Sequence, residues 1–161
     1  MYHIASTRFN NATLAENMTY REKADEIVIY GAGIQIQKKY ETGCTMFVCE
    51  MNNEENRIGG IGVITNKLVH DKRHKIYSDT DYNRVIYRGS HWLSREQLLL
   101  LDEEIVDILD KMLFKGKSHL KRQSGITVVT DKLTKKWNQD LNHLKRRIRE
   151  IFVGQFKQDS L

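Results

Sequence analysis

The chain has no proline in its 161 residues, where ordinary usage of about 5% would supply roughly eight. That excludes a PxxP ligand, a polyproline linker and any cis-proline turn. Cysteine is nearly absent as well. Cys44 and Cys49 are the only two, too few for a disulfide framework or a four-cysteine zinc site. They lie five apart in a segment that reads as a strand, so their side chains point to opposite faces and can neither bridge nor share a metal. Reduced, buried thiols in an intracellular protein follow. No run of 18 apolar residues occurs, so no membrane span is expected, and Met1 to Arg8 lacks an apolar signal core. Without such a signal, the sequons at Asn11 and Asn17 are chance matches.

What is present is an ordinary globular composition, 40% hydrophobic and 29% charged. Length and uniformity predict one domain over 1–161, with a sheet-rich part at about 26–90 and a helical, basic part at about 94–157. The net charge of +5 is an uneven average. Residues 1–110 hold 13 Lys and Arg against 17 Asp and Glu, whereas 111–161 hold 13 against 4. An anionic partner is therefore expected at the C-terminal third.

Thr13 with Glu16 reads as a capping box for a short polar helix over 14–24. Short strands are expected at 26–30, 34–38, 44–51, 58–64, 75–77, 82–88 and 126–129. Asn52 to Asn56 is a turn by composition. The glycines at 59, 60 and 62 predict a bulge or a close backbone approach in the return strand. Ser94 with Gln97 caps a largely buried helix over about 95–113 whose outer face is acidic. A last amphipathic helix is expected over about 131–157, with Trp137 on its apolar arc. The fold class that follows is α+β: a small curved mixed sheet or PUA-like barrel flanked by helices, with a long C-terminal amphipathic helix.

Gly116-Lys-Ser118 is not a phosphate loop. The required earlier glycine is Lys111, and a helix rather than a strand precedes it. Gly59 to Gly62 lacks the third glycine of a dinucleotide fingerprint. His70 and His74 stand four apart in a charged stretch with no third ligand nearby, which reads as a solvated loop rather than a metal site. No nucleophile elbow appears. The residues thus point to no catalytic set, no metal and no cofactor.

The basic connector carries the functional signal. Lys115, Lys117, His119, Lys121 and Arg122 crowd into eight residues beside Gly116. Flexible cations of this kind suit phosphates, because they displace condensed counterions and Arg can bind two oxygens at once. Arg146 and Arg147, on the polar side of the last helix, would extend the track. Trp92 has no periodic reason to be buried and is the stacking candidate.

The segments Phe47 to Asn53, Asn56 to Asn66, Tyr82 to Tyr87 and Leu113 to Arg122 resemble a group of small proteins encoded by nucleocytoplasmic large DNA viruses. The likeness covers roughly 26–129. It implies a viral protein inside the host cell, in the cytoplasm, viral factory or nucleus, or packaged in the virion, and it carries over no catalytic residue. A strand followed by Gly60-Ile-Gly-Val63 and a nearby Trp92 also resembles PUA-like barrels such as EVE and YTH domains, which bind modified bases in an aromatic pocket. The expectation is a non-enzymatic nucleic-acid-binding viral protein with DNA or RNA as partner and no membrane. The alternatives are an interaction protein of the virion or of viral assembly, acting as a homo-oligomer or with another viral protein, and a nucleic-acid-processing enzyme.

Overall fold

The computed structural model describes residues 1–157. Within them a mixed six-stranded sheet curls into a half-barrel accompanied by four helices. In chain order these are β1 (Tyr2–Phe9), α1 (Asn11–Ala24), β2 (Val28–Ala32), β3 (Thr45–Asn52), β4 (Arg57–Thr65), β5 (Val85–Ser94), α2 (Arg95–Phe114), β6 (Thr127–Val128), α3 (Asp131–Lys136) and α4 (Leu141–Phe156). A single 3₁₀ turn, Thr80–Asn83, precedes β5. The strand order is β2-β5-β4-β3-β1-β6. β1 runs parallel to β3, and every other pairing is antiparallel.

Curvature follows from one hydrogen bond. Tyr30 on β2 donates its hydroxyl proton to Glu50 on β3 at 2.6 Å, although β5 and β4 lie between the two strands. On a flat sheet that separation would be about 14 Å. Only a curled sheet brings the two together. Alternation along β3 then sorts its side chains. Met46 and Val48 join the core on the concave side with Phe9, Ile29 and Ile86. Phe47, Cys49 and Met51 face the convex side, where α2 and α4 cover them with Leu98, Ile105, Leu109, Leu144, Ile148 and Phe152. Cys44 and Cys49 are both buried and free, in opposite cores, as the odd offset requires.

The glycines of β4 are explained by what stands opposite them. Gly59 is the extra residue at a register shift, since Glu50 pairs with Gly60 and Met51 with Ile58. A Cβ at Gly60 would lie 2.9 Å from Trp92 Nε1, and one at Gly62 would lie 2.2 Å from the Tyr30 hydroxyl. Both positions make room for large side chains on the concave face.

Several expected elements differ. β1 was not anticipated. α1 starts at Asn11 because Asn10, not Thr13, is its cap: Asn10 accepts from Thr13 N–H, and the Thr13 hydroxyl accepts from Asn10 N–H. The expected strand at 34–38 is irregular, with Ile34 exposed and Ile36 N–H bound to the Tyr87 hydroxyl. The expected strand at 75–77 is absent because Asn83 Oδ1 accepts from both Ile76 and Tyr77 N–H, satisfying locally the donors a ladder would use. The strand at 82–88 instead begins at Val85 and continues through Trp92 to Ser94. The long C-terminal helix is two helices. Asn138 takes a left-handed φ of 54°, and Asp140 caps α4 by accepting from His143 N–H.

α2 is broken as well. Asp102 is extended, with φ −161° and ψ 84°, and its carboxylate accepts from Ile105 N–H to cap the second half. The break leaves Leu99, Leu100 and Leu101 exposed, Leu100 at 89%, where a continuous buried helix was expected.

Candidate nucleic-acid interface

Two features stand apart from ordinary packing: a charged cluster inside the half-barrel and a cavity at its unclosed seam. The cluster is assembled by α1, which lies on the concave face with Asn17 and Arg21, one turn apart, buried. Glu50, fully enclosed, accepts from Arg21 Nη2 at 2.6 Å, from the Tyr30 hydroxyl at 2.6 Å and from Trp92 Nε1 at 3.2 Å. The Arg21 guanidinium also lies over the Tyr30 and Trp92 rings, 5.5 and 5.8 Å from their centroids. Burial alone would lower the Arg21 pKa; the Glu50 carboxylate more than offsets it and the net direction is upward. Burial and then the Glu50 charge push the Tyr30 phenol well up. Asn17 donates to Ile29 O and to the Tyr77 hydroxyl, and burial pushes the Tyr77 phenol up to about 12. None of these phenols ionises near neutrality, so the cluster is a fixed charge pair with donors around it.

Trp92 therefore does not stand where the sequence placed it. Its indole is half-buried, hydrogen-bonded to Glu50 and pressed against Gly60, which removes it from the surface that carries the basic loop. The reason is register: at β5 position 92 the side chain turns inward, while Leu93 faces the convex core.

The seam lies between the two edges of the sheet. β6 covers β1 only at Ala5 and Ser6, so the end of β1 faces β2 across a gap. A cavity of about 440 Å³ occupies it. Phe9, Tyr77, Tyr82 and Ile34 supply its apolar wall, and Arg8, Asn10, Asn53 and Ser124 its polar rim. Gly31 and Gly33 from β2 and its loop, with Gly125 opposite, line it too.

The basic loop, 115–125, reaches this cavity at one end. Arg8 Nη1 and Asn53 Nδ2 both donate to the Lys121 carbonyl, at 3.2 and 2.8 Å, and Ser124 and Gly125 continue into the lining. Its other end rests on α3: Gly116 sits against Trp137, and Lys136 bonds the Ser118 hydroxyl. Leu120 N–H bonds back to Leu113 O. The backbone is thus held at several points while Lys115, Lys117 and Arg122 remain exposed and Lys121 and His119 half-buried. Among the described residues none of these five pairs with a carboxylate.

The two arginines of the last helix behave differently from each other. Arg146 is exposed. Arg147 is engaged in the fold: its Nε and Nη2 donate to Asp102, and its Nη1 pairs with Glu104 at 2.8 Å. Asp102 lies about 13 residues before Lys115, which at 1.5 Å per residue is about 20 Å along α2. The basic loop and Arg147 accordingly occupy opposite ends of that segment.

His74, expected in a solvated loop, is buried. Its Nδ1 meets the Tyr20 hydroxyl at 2.6 Å and its Nε2 the Asp71 carboxylate at 2.8 Å. Arg88 binds Asp71 and both oxygens of Glu26. The His74 and Arg88 bonds hold the Asp71 carboxyl far below its usual range. With His74 enclosed, the chain of groups fastens the loop before Ser78 onto α1 and β5. Sequence reasoning also missed Arg8, Tyr82 and Asn53. Arg8 stands alone in an N-terminal segment whose strand was not recognised, and only the folded seam brings the three together.

Comparison of the chain with protein-family models, with curated proteins and with solved structures finds no match. Among the described residues no helix is long and apolar enough to cross a membrane.

Proposed function

We propose that this chain is a non-enzymatic nucleic-acid-binding protein that holds phosphates on the loop of Lys115, Lys117, Lys121 and Arg122. His119 sits beside them, and Arg146, exposed on α4, would extend the track. The observation that carries the reading is the pinned backbone of this loop together with its uncompensated cations. Preorganised cations release counterions on binding without first losing their own salt bridges. The resemblance to proteins of large DNA viruses supports a viral protein acting inside the host cell. A curled sheet plugged by a helix also suits a PUA-like ancestry.

The test is a titration of a fluorescent oligonucleotide against salt. With about four phosphate contacts, log K should fall against log salt with a slope of about −3 to −4. Replacing the four loop cations by Ala should abolish most binding. No binding at low salt, or unchanged affinity in that variant, defeats the reading.

A second reading rests on a different observation. Exposed Leu99, Leu100 and Leu101 lie beside the acids Glu96 and Glu103, a surface suited to an amphipathic, basic segment of an assembly partner. A stable oligomer without nucleic-acid affinity in light scattering would favour it.

A further inference from the structure

We propose that the seam cavity is a pocket for one nucleotide unit of the bound strand, an inference that rests on the nucleic-acid reading above. The cavity has the two chemistries a nucleotide needs, on opposite sides. On one side Tyr82 and Ile34 are 44% and 56% exposed, high for apolar side chains that share one concave wall. Tyr77 meets Tyr82 at 90° with centroids 6.4 Å apart, which fixes the orientation of the outer ring as a stacking surface. On the other side stands Arg8. Its Nη1 is anchored to the Lys121 carbonyl, near the end of the basic loop, and its Nε and Nη2 carry no hydrogen bond among the described residues.

At Gly33 a Cβ would approach Asp81 O to 3.3 Å, and at Gly125 it would approach Ile34 Cγ1 to 3.1 Å. The glycines thus let neighbouring segments close on each other at the edge of the cavity, where a side chain would push them apart. Gly125 also holds a left-handed φ of 69°, which turns the chain from the loop into β6. The volume, about 440 Å³, falls in the range of small-ligand sites. The other cation in the lining, Arg84, is paired with Asp81 in an exposed bridge, so the phosphate end is assigned to Arg8.

The experiment titrates the full chain, by calorimetry, with nucleoside 5′-monophosphates, with the parent nucleosides and with inorganic phosphate. The monophosphates should bind more tightly than either fragment. Tyr82→Ala should weaken them about five- to a hundredfold, the worth of one stacked base, while Tyr82→Phe stays near the parent value. Arg8→Ala should weaken monophosphates but not nucleosides. Circular dichroism melts of each variant should match that of the parent chain.

Absence of monophosphate binding, or affinities indifferent to Tyr82→Ala, overturns the pocket. Equal affinity for inorganic phosphate, lost only with Arg8, also overturns it and leaves a bare anion site. If oligonucleotides bind the parent chain and Tyr82→Ala alike, the pocket fails while the nucleic-acid reading survives. If monophosphates bind and no oligonucleotide does, the nucleic-acid reading fails, and with it the assignment to a bound strand.

Discussion

At the scale of single residues, the fold is organised around an ion pair that water does not reach. Glu50 replaces solvation with three donors, Arg21, Tyr30 and Trp92. Such a pair contributes little over an apolar isostere, but losing one partner strands the other, at about 3–5 kcal/mol. Arg21→Met should therefore lower the unfolding free energy by about that amount in urea titrations, since Tyr30 and Trp92 cannot neutralise Glu50. Adding Glu50→Leu to Arg21→Met should restore a large part of it. A loss below about 1 kcal/mol in the single variant would show that water solvates Glu50 after all. This arrangement was half legible. Gly60 and Gly62 announced that something large approaches β4, whereas nothing in a lone Arg on a polar helix or a lone Glu in an apolar strand marks them as partners 29 residues apart.

Among elements, strongly patterned segments were readable and breaks were not. β3, the Asn52–Asn56 turn and β4 follow from alternation, left-handed Asn56 and glycine chemistry. β1 escaped because both of its faces are covered, Ile4 by the convex core and Ala5 and Phe9 by the concave one, which erases the alternation a half-buried strand would show. The interruption of α2 joins a local cap, Asp102 accepting from Ile105 N–H, to the tertiary bonds of Asp102 with Arg147, and that of the C-terminal helix is local, a left-handed Asn138 followed by the Asp140 cap. Burial works against the charged Asp102 carboxylate, but the Arg147 bonds outweigh it and hold its pKa below the ordinary range. As pH falls below about 3.9 the unfolded chain takes up this proton first, so the pair stabilises the fold above that pH and is lost on further acidification. Asp102→Asn keeps the capping oxygen and removes the charge. It should cost about 1 kcal/mol near neutral pH, with the difference from the parent chain narrowing as the pH falls below about 3.9. A gap that stays constant throughout acidification would place the effect in the cap rather than the ion pair.

For the whole molecule, the lopsided charge read from the sequence overstates the reach of the basic third. A count of cations treats Arg147 and Arg122 alike, whereas folding pairs the first with two carboxylates and leaves the second exposed. The count also overlooks Arg8, which belongs to the less basic part of the chain yet lies beside the loop. A salt titration of the proposed nucleic-acid binding would separate these cases, because only a cation that exchanges counterions for phosphate contributes to the salt dependence. Arg122→Ala should make the slope of log K against log salt shallower by about 1 and weaken binding to all sequences alike. Arg147→Ala should lower stability by freeing Asp102 and Glu104, and should leave the slope as it was. It should weaken binding modestly and by long-range field alone, since two acids near one end of α2 then lose their counter-charge. Equal loss of slope in both variants would mean that the bridge to Asp102 opens on binding and that the interface extends along α4 as the sequence suggested.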